Sequence, residues 1–254
     1  MSKLSKAFEG KKALITYITA GDPSLAVTEK LIYGLAKAGA DIIELGIPFS
    51  DPLADGPVIQ ASHQRALKKN VTLADVFQLV AKVRKKTSIP ICFMLAYNLV
   101  VNYGEDKFYA ACGKFGVDGA VVPDLPVEES RANRVIFVAP TSSEARIKQS
   151  VERAAGFIYL ISVAGITGKR AALGGDLSAL VAEIRKYSKL PVAIGFGIST
   201  PAQAALMAKV GDGIIVGSAL VDLIAKKRVP AALKLTASLR KAIDTSTSLS
   251  VNAR

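Results

Sequence analysis

The sequence is poor in the side chains on which several common kinds of active site depend. Its 254 residues include one histidine, two cysteines and no tryptophan. With His63 as the one imidazole, we expect neither a Ser-His-Asp or Cys-His triad nor a metal site built from several histidines. Cys92 lies in an apolar, strand-like run and Cys112 in a helical segment, which indicates two small buried thiols rather than a disulfide or a metal pair.

Long hydrophobic runs are also missing. None approaches the roughly 20 residues that span a bilayer, and the first ten residues are too polar for a secretory signal. We therefore expect a cytoplasmic protein that does not enter a membrane. The composition, 50% hydrophobic and 21% charged, is typical of a globular protein with a large core. The length fits one large domain or two small ones, and single barrels commonly reach this size.

Positive charge is in excess, with a formal net charge of +12. Such an excess permits anionic partners, either nucleic acid or small phosphorylated substrates. The basic clusters fall in or beside different helical segments without aromatic residues between them; they are Lys68-Lys69, Lys85-Lys86, Lys226-Lys227-Arg228 and Arg240-Lys241. Solvated helix faces account for this distribution, so we expect a phosphorylated substrate and no nucleic acid.

Short apolar runs alternate with longer segments of helical period along the whole chain. The predicted strands are Leu14–Ile18, Asp41–Leu45, Pro90–Leu95, Gly119–Val122, Val135–Ala139, Phe157–Ser162, Val192–Gly195 and Gly213–Val216. The predicted helices are Leu25–Ala38, Leu73–Lys86, Lys107–Phe115, Ser143–Ala154, Leu177–Tyr187, Pro201–Ala208 and Val229–Ile243. Eight strand and crossover units in about 250 residues predict an α/β fold, a (β/α)8 TIM barrel that occupies residues 1–254 as one domain with an additional N-terminal helix.

The fourth crossover does not fit this pattern. Only twelve residues separate Val122 from Val135, and Pro123 and Pro126 are among them. A parallel crossover with its own helix needs at least a dozen residues in addition to its loops. We expect either a stub in place of this helix or a segment missing near Ser130-Arg131, and the sequence leaves both alternatives open.

Two carboxyl groups occur where ordinary core residues do not. Glu44 ends an apolar run of strand character, and Asp55 follows on a loop that contains prolines and a glycine. A carboxyl at a strand end that faces a second carboxyl on a stiff loop suits acid–base chemistry. The alternatives are that Glu44 pairs with a neighbouring basic group and that Asp55 is a turn residue before Gly56.

In barrels of this kind the active site lies at the carboxyl ends of the strands. The seventh and eighth strands end in glycine-rich turns that contain Gly197 and Gly217, where backbone N–H groups can approach a phosphate, and a helix begins near Ser218. For the remaining polar residues we keep the structural alternatives. Asp22 and Asp124 suit turns or helix caps, Tyr17 and Tyr159 can fill the barrel, and His63 suits the surface or a satisfied core.

The segment Glu44–Gln60, which reads ELGIPFSDPLADGPVIQ, resembles the signature of the tryptophan synthase alpha subunit family almost letter for letter. Supporting similarities, spread over nearly the whole chain, are Thr19–Pro23, Gly116–Glu129, Phe157–Gly168, Gly195–Ser199 and Gly213–Ser218. The chain departs from the family in the short region between Glu129 and Val135, and at Leu99, where many members have proline.

The resemblance implies a lyase that cleaves indole-3-glycerol phosphate to indole and glyceraldehyde 3-phosphate without a metal or cofactor. Glu44 would be the general acid–base and Asp55 would hydrogen-bond the indole N–H. The other implied substrate contacts are Tyr17, Phe49, Met94, Tyr97, Tyr159, Thr167, Gly168, Phe196, Gly197, Ile198, Gly217 and Ser218.

The resemblance also implies a partner. A beta subunit that carries pyridoxal phosphate would consume the indole in an alpha-beta-beta-alpha complex. Loops 48–57 and 165–175 would close over substrate and report its presence to that partner. Glycines at positions 165, 168, 174 and 175 would give the second loop the backbone freedom that a lid needs.

Three rival functions remain open at this point. A Schiff-base aldolase would need a lysine at a strand end, where the predicted strands offer none. Another phosphate-binding barrel, such as an isomerase or cyclase of histidine or tryptophan biosynthesis, would share the glycine-rich end but lack the loop from Glu44 to Asp55. A subunit kept only to bind and activate a partner would not need these two carboxyl groups.

Overall fold

The computed structural model describes residues 2–52, 55–130, 132, 134–162, 170–195 and 197–251. The strands are β1 Ala13–Thr19, β2 Ile42–Gly46, β3 Ile91–Met94, β4 Gly119–Val121, β5 Arg134–Val138, β6 Ala154–Ile161, β7 Val192–Gly195 and β8 Gly213–Val216. The helices are α1 Lys3–Lys6, α2 Leu25–Lys37, α3 Pro57–Leu67, α4 Leu73–Arg84, α5 Tyr97–Tyr103, α6 Glu105–Phe115, α7 Glu144–Glu152, α8 Arg170–Tyr187, α9 Pro201–Val210, α10 Ser218–Ala225 and α11 Val229–Val251.

The eight strands form a closed parallel barrel in which each strand pairs with its sequence neighbours and β8 pairs with β1. All eight strand predictions are confirmed, with shifts of up to three residues at their ends. The predicted TIM barrel is therefore correct. Across the helices that the structure describes, none is long and apolar enough to cross a membrane.

Side chains alternate along β2 between the interior of the barrel and the layer under the helices. Ile42 packs inside the barrel, Ile43 and Leu45 pack under the surrounding helices, and Glu44 therefore faces the interior. The strand is buried along its whole length. Glu44 consequently lies inside the barrel, in register with Tyr17 on β1 and Cys92 on β3.

The predicted N-terminal helix closes the end of the barrel at which the strands begin. Leu4 on α1 and Phe8 just after it are buried with the interior residues of the strands. Backbone glycines make room for them, because a Cβ at Gly119 would lie 2.5 Å from Leu4 and one at Gly213 would lie 2.8 Å from Phe8. Since α1 blocks the amino end, the open interior is at the carboxyl ends of the strands.

Three aspartates fix the amino end by the same arrangement. In each case the aspartate N–H donates to the carbonyl of a residue on a neighbouring strand, at 2.7 to 2.8 Å, and the aspartate Oδ2 accepts the N–H of that same residue, at 2.8 to 2.9 Å. The three pairs are Asp41 with Leu14, Asp118 with Ile91, and Asp212 with Val192. Each aspartate follows within two residues of a glycine that ends a helix. In each case the same short segment ends a helix with its glycine and begins the pairing of the next strand with its aspartate.

An arginine completes each of these arrangements. The pairs are Arg240 with Asp41, Arg84 with Asp118, and Arg185 with Asp212. The Arg84 guanidinium lies 2.6 Å from Asp118 and also donates to the carbonyl of Gly116 at 2.8 Å. Because Arg84 and Asp118 are both mostly buried, this pair ties α4 to the start of β4 with more effect than a surface ion pair has.

The fourth crossover contains no helix among its described residues, 122–130 and 132. Two arginines bind its backbone instead. Arg134, buried at the start of β5, donates to the carbonyl of Leu125, and Arg153 donates to that of Ser130 at 3.0 Å. The short crossover predicted from the sequence is confirmed, and β4 meets β5 through one residue pair, Val121 with Val135.

Three helices differ most from the prediction, and α11 also extends beyond its predicted end at Ile243 to Val251. α3, Pro57–Leu67, is not in the list of predicted helices. α5, Tyr97–Tyr103, was not predicted, because the residue before it, Ala96, provides no capping side chain and its first N–H binds the distant carboxylate of Asp124. α8 begins at Arg170 rather than Leu177, so residues 170–175 are helical and were wrongly assigned to a loop on the strength of their two glycines. Residues 165–169 of that predicted loop lie outside the described residues.

Candidate active site

The carboxyl end of the barrel contains a cavity of about 340 Å³. It is lined by residues from the first three strands and the last three strands or their following loops, and these are Tyr17, Glu44, Asp55, Gly56, Ile59, Met94, Tyr159, Gly197, Ile198, Ser199, Ile215, Gly217, Ser218 and Ala219. A smaller cavity of about 160 Å³ adjoins it and shares Tyr17, Asp55 and Met94 with it. Glu44 and Asp55 thus open onto one chamber.

Glu44 is a buried acid with 1% of its surface exposed. Neither of its carboxyl oxygens has a hydrogen-bond partner within the described part of the chain. Burial, and secondarily the nearby carboxylate of Asp55, raise the pKa of Glu44 from 4.5 to about 8. The side chain is therefore protonated at neutral pH and can donate a proton into the cavity. The alternative of a salt bridge with a basic neighbour does not occur, since no ion pair of Glu44 is found among these residues.

Asp55 lies on the loop between β2 and α3, one residue before the Gly56 N-cap of α3. Burial raises its pKa from 3.8 to about 6. Asp55 is therefore mostly ionised slightly above neutral pH, whereas Glu44 is mostly protonated. The two acids differ in charge in the same cavity, as an acid and an acceptor in one reaction must. Gln60 holds the loop by donating to the Asp55 carbonyl at 2.8 Å.

The start of α10 forms another part of the cavity wall. Its N-cap is Gly217, so no side chain caps the helix, and Ser218 and Ala219 face the cavity. The first N–H groups of a helix lack partners within it and carry partial positive charge, which suits an anion. α9 differs, because Thr200 and Gln203 form a capping box that occupies its first N–H groups. Of these two neighbouring helices, α10 is the one open to a phosphate.

The two tyrosines of the cavity wall lie across glycines of neighbouring strands. A Cβ at Gly46 would fall 2.1 Å from the Tyr17 hydroxyl, and one at Gly195 would fall 2.5 Å from the Tyr159 ring. Burial raises the pKa of both phenols, so they remain protonated. Both rings fill the barrel, as one alternative had it, and both also line the cavity.

The model of the tryptophan synthase alpha chain family matches residues 3–247 of this sequence. The chain belongs to that family. A tryptophan synthase alpha chain from Lacticaseibacillus casei is 47% identical over 99% of both chains, and one from Thermoanaerobacter sp. (strain X514) is 47% identical over 89% of this chain and 92% of the relative.

Solved structures of the tryptophan synthase alpha family agree. The subunit alpha from Legionella pneumophila str. Paris superposes with a TM-score of 0.87 at 36% identity, covering 96% of this chain and 99% of its own. A ligand-free tryptophan synthase structure from M. tuberculosis gives 0.86 at 31% identity, covering 96% and 99%. The Lacticaseibacillus alignment extends over 264 positions, ten more than the 254 residues of this chain, so at least ten positions lack a residue here.

Most of the site residues predicted from the sequence come together in the structure. Besides Glu44 and Asp55, the main cavity collects Tyr17, Met94, Tyr159, Gly197, Ile198, Gly217 and Ser218. Phe49 lines the smaller cavity. Tyr97 lines neither cavity; it begins α5 and packs against the outer core. Thr167, Gly168 and Phe196 lie outside the described residues.

The sequence analysis missed several wall residues of this cavity. Gly56, Ile59, Ser199, Ile215 and Ala219 all line the main cavity. Ile215 could have been found, because it alternates with Ile214 and Val216, which face outward from β8. Ile59 could not, since its position depends on how α3 leans over β1. Both predictions for the polar residues Asp22 and Asp124 are confirmed: Asp22 lies in the turn after β1, where its carboxylate also pairs with Arg65 at 2.7 Å, and Asp124 caps α5.

The side chains that could bind a metal do not form a cluster in the described part of the structure. Within the described ranges, no cluster of three or more histidine, cysteine, aspartate or glutamate side chains could hold a metal ion. Cys92 and Cys112 are buried free thiols, as predicted.

Proposed function

We propose that this chain cleaves indole-3-glycerol phosphate to indole and glyceraldehyde 3-phosphate, as the alpha subunit of tryptophan synthase in tryptophan biosynthesis. The observation that carries the proposal is the pair of carboxyl groups in one cavity, Glu44 protonated and Asp55 ionised near neutral pH. A retro-aldol cleavage needs an acid at the ring and an acceptor for the ring N–H at the same moment.

In the first step, the Glu44 carboxyl donates its proton to C3 of the indole ring. The ring nitrogen then carries positive charge, which the Asp55 carboxylate stabilises by accepting its N–H. In the second step, the Glu44 carboxylate takes the proton of the hydroxyl on the adjacent glycerol carbon. The carbon–carbon bond breaks, its electron pair restores the aromatic ring, and the hydroxyl-bearing carbon becomes the aldehyde. Glu44 ends protonated, ready for another turnover.

Apolar and backbone groups place the substrate for these steps. Tyr159, Met94 and Ile198 offer contacts for the indole ring, and the N-terminus of α10 with Gly217 and Ser218 offers N–H groups for the phosphate. No lysine or arginine is among the cavity-lining residues in the described part of the chain. A nearby cation would lower the pKa of Glu44, so phosphate binding by backbone N–H groups keeps the Glu44 carboxyl protonated at neutral pH.

The proposed enzyme uses its own carboxyl groups and no cofactor in this chain. Its partner is the beta subunit, for which pyridoxal phosphate is expected, in an alpha-beta-beta-alpha complex. The two free cysteines fit a reducing compartment, and we place the enzyme in the cytoplasm.

The test is the consumption of indole-3-glycerol phosphate by the purified chain, with and without a beta subunit. Glu44→Gln should abolish cleavage while substrate still binds, and Asp55→Asn should raise the barrier by more than about 2 to 3 kcal/mol. Asp244→Asn, on the exposed part of α11, is the matched control and should keep wild-type turnover. Near-normal turnover in Glu44→Gln would refute the mechanism.

The rival functions have separate signatures. A Schiff-base aldolase would be trapped by borohydride with the aldehyde product, which the absence of lysine from the described cavity wall argues against. Another phosphate-binding barrel would turn over a different sugar phosphate with comparable efficiency. A subunit kept for binding alone would release no indole in the presence or absence of its partner.

A further inference from the structure

His63, the one histidine of the chain, lies on α3 between the barrel wall and the Asp55 loop. It is buried, with 4% of its surface exposed, and its two ring nitrogens face different partners. Nδ1 accepts the backbone N–H of Phe49 at 3.1 Å. Nε2 lies 3.2 Å from the Tyr17 hydroxyl and 3.7 Å from Oδ2 of Asp55.

The Phe49 contact fixes the tautomer of the ring. A backbone N–H can only donate, so Nδ1 must be the nitrogen without a proton, and the neutral ring carries its proton on Nε2. Burial lowers the pKa of His63, which keeps the ring neutral. The ionisable groups that face it are Asp55, Tyr17 and Asp22, and the last of these is held by Arg65.

The hydrogen bonds of the neighbouring hydroxyl groups independently indicate the same tautomer of His63. Ser62 donates its one proton to the carbonyl of Ile59 at 2.6 Å, so it must accept from Thr19, whose oxygen lies 2.5 Å away. Thr19 must then accept from Tyr17, at 3.3 Å, and Tyr17 must accept from His63. In this series of hydrogen bonds every donor therefore points in the same direction, from the Phe49 N–H at one end to the Ile59 carbonyl at the other.

We propose that His63 is a positioning residue for the lyase reaction, which holds the Asp55 loop against the barrel through Nδ1 and presents its Nε2–H edge to the Asp55 carboxylate. With the other tautomer, a lone pair would face that carboxylate and repel it. The inference rests on the proposed function, because that function is what assigns Asp55 a role in the reaction. A histidine that merely satisfies the core would make the same contacts without any effect on turnover.

The tautomer can be read directly, because a protein labelled with 15N-histidine gives the spectrum of a single ring. We expect the two-bond 15N–1H correlations of a neutral ring protonated at Nε2, unchanged between pH 7 and pH 8. An Nδ1-protonated ring, or a ring that titrates within this range, would overturn the proposal. This measurement needs no substrate and is independent of the enzyme's activity.

Two conservative variants separate the contribution of the Nδ1 contact from that of the Nε2 contact. His63→Asn retains an acceptor near Nδ1 for Phe49 but has nothing at Nε2, and His63→Gln retains a donor near Nε2. We expect kcat to fall about tenfold in His63→Asn with KM changed less than about threefold, because the polar Nε2–H edge that lies 3.7 Å from the Asp55 carboxylate is lost. His63→Gln should recover most of kcat. Circular dichroism melting of both variants establishes that they are folded.

A double-variant cycle with Asp55→Asn tests whether the effect passes through Asp55. In that background, His63→Asn should lower kcat no further. Equal losses in both backgrounds, or wild-type kcat in His63→Asn, would overturn the proposal. If Asp55→Asn alone cleaved substrate normally, the proposed function would fail instead, and the labelled ring would still report the tautomer.

Discussion

Replacing Glu44 with glutamine should change how the stability of the fold depends on pH. The wild-type side chain is buried without a hydrogen-bond partner in the described structure, and its pKa is raised from 4.5 to about 8. Glutamine has nearly the same shape and no titrating proton. The variant therefore removes the ionisation and leaves the packing of β2 as it is.

The sign follows from which state holds the proton more tightly. Between pH 4.5 and about 8 the folded chain keeps the Glu44 proton while the unfolded chain has released it. Stability must then fall as pH rises through this range, because a higher pH favours the unfolded chain, which releases the Glu44 proton, over the folded chain, which keeps it. At about 1.4 kcal/mol per pH unit, the ceiling is about 5 kcal/mol, and the part lost between pH 6 and pH 8 is about 2 kcal/mol.

Urea unfolding of both proteins at pH 6, 7 and 8 measures this effect. The free energy of unfolding of wild type should fall by about 2 kcal/mol more than that of Glu44→Gln across the range. Asp55→Asn is the contrasting variant, since Asp55 titrates near pH 6 and its contribution lies mostly at lower pH. Parallel curves for wild type and Glu44→Gln would refute the claim that burial keeps this acid protonated.

Three further changes test other parts of the structure. Asp118→Ala removes a carboxylate that accepts both a strand N–H and an arginine, and should cost about 3 kcal/mol in urea unfolding, whereas Asp244→Ala, an exposed pair, should cost less than about 0.5 kcal/mol. Gly217→Ala places a methyl group at the uncapped start of α10, 3.2 Å from Tyr17, and should raise KM for the phosphorylated substrate about tenfold with melting unchanged; an unchanged KM would place the phosphate elsewhere. Gly46→Ala would put its Cβ 2.1 Å from the Tyr17 hydroxyl and should destabilise the barrel by about 1 to 3 kcal/mol; a wild-type melting curve would contradict this.

The barrel could be predicted because its strands are buried on both sides and so appear as short apolar runs. β8, Gly213–Val216, needs no partner to be recognised in the sequence. α5 is the opposite case. Its first N–H binds Asp124, which lies 27 residues along the chain, and no local pattern marks that contact. The start of α8 failed for another reason, since glycines at positions 174 and 175 were given more weight than the helical residues around them.

The site could be predicted in part for similar reasons. Glu44 and Asp55 stand out because a charged residue in an apolar strand end, or in a proline-rich loop, is unusual at any position. The place of His63 depends on three contacts, with Tyr17 on β1 and with Phe49 and Asp55 on the loop between β2 and α3. Sequence alone allowed only a choice between a surface and a core histidine. Its tautomer follows from the direction of one backbone N–H, which exists only in the folded chain.

Carboxyl groups at the two ends of the barrel have opposite environments. Those at the amino end stabilise the fold, whereas those at the carboxyl end serve the proposed reaction. At the amino end, Asp118 receives a backbone N–H and a guanidinium, so its charge is fully compensated. At the carboxyl end, Glu44 receives neither, and burial makes its charge unfavourable until a substrate offers it a site for its proton. A chain with a net charge of +12 could have placed an arginine beside Glu44, but the pair would be an ion pair without a proton to give. The absence of a cation from the described cavity wall beside Glu44 is therefore a requirement of the proposed reaction.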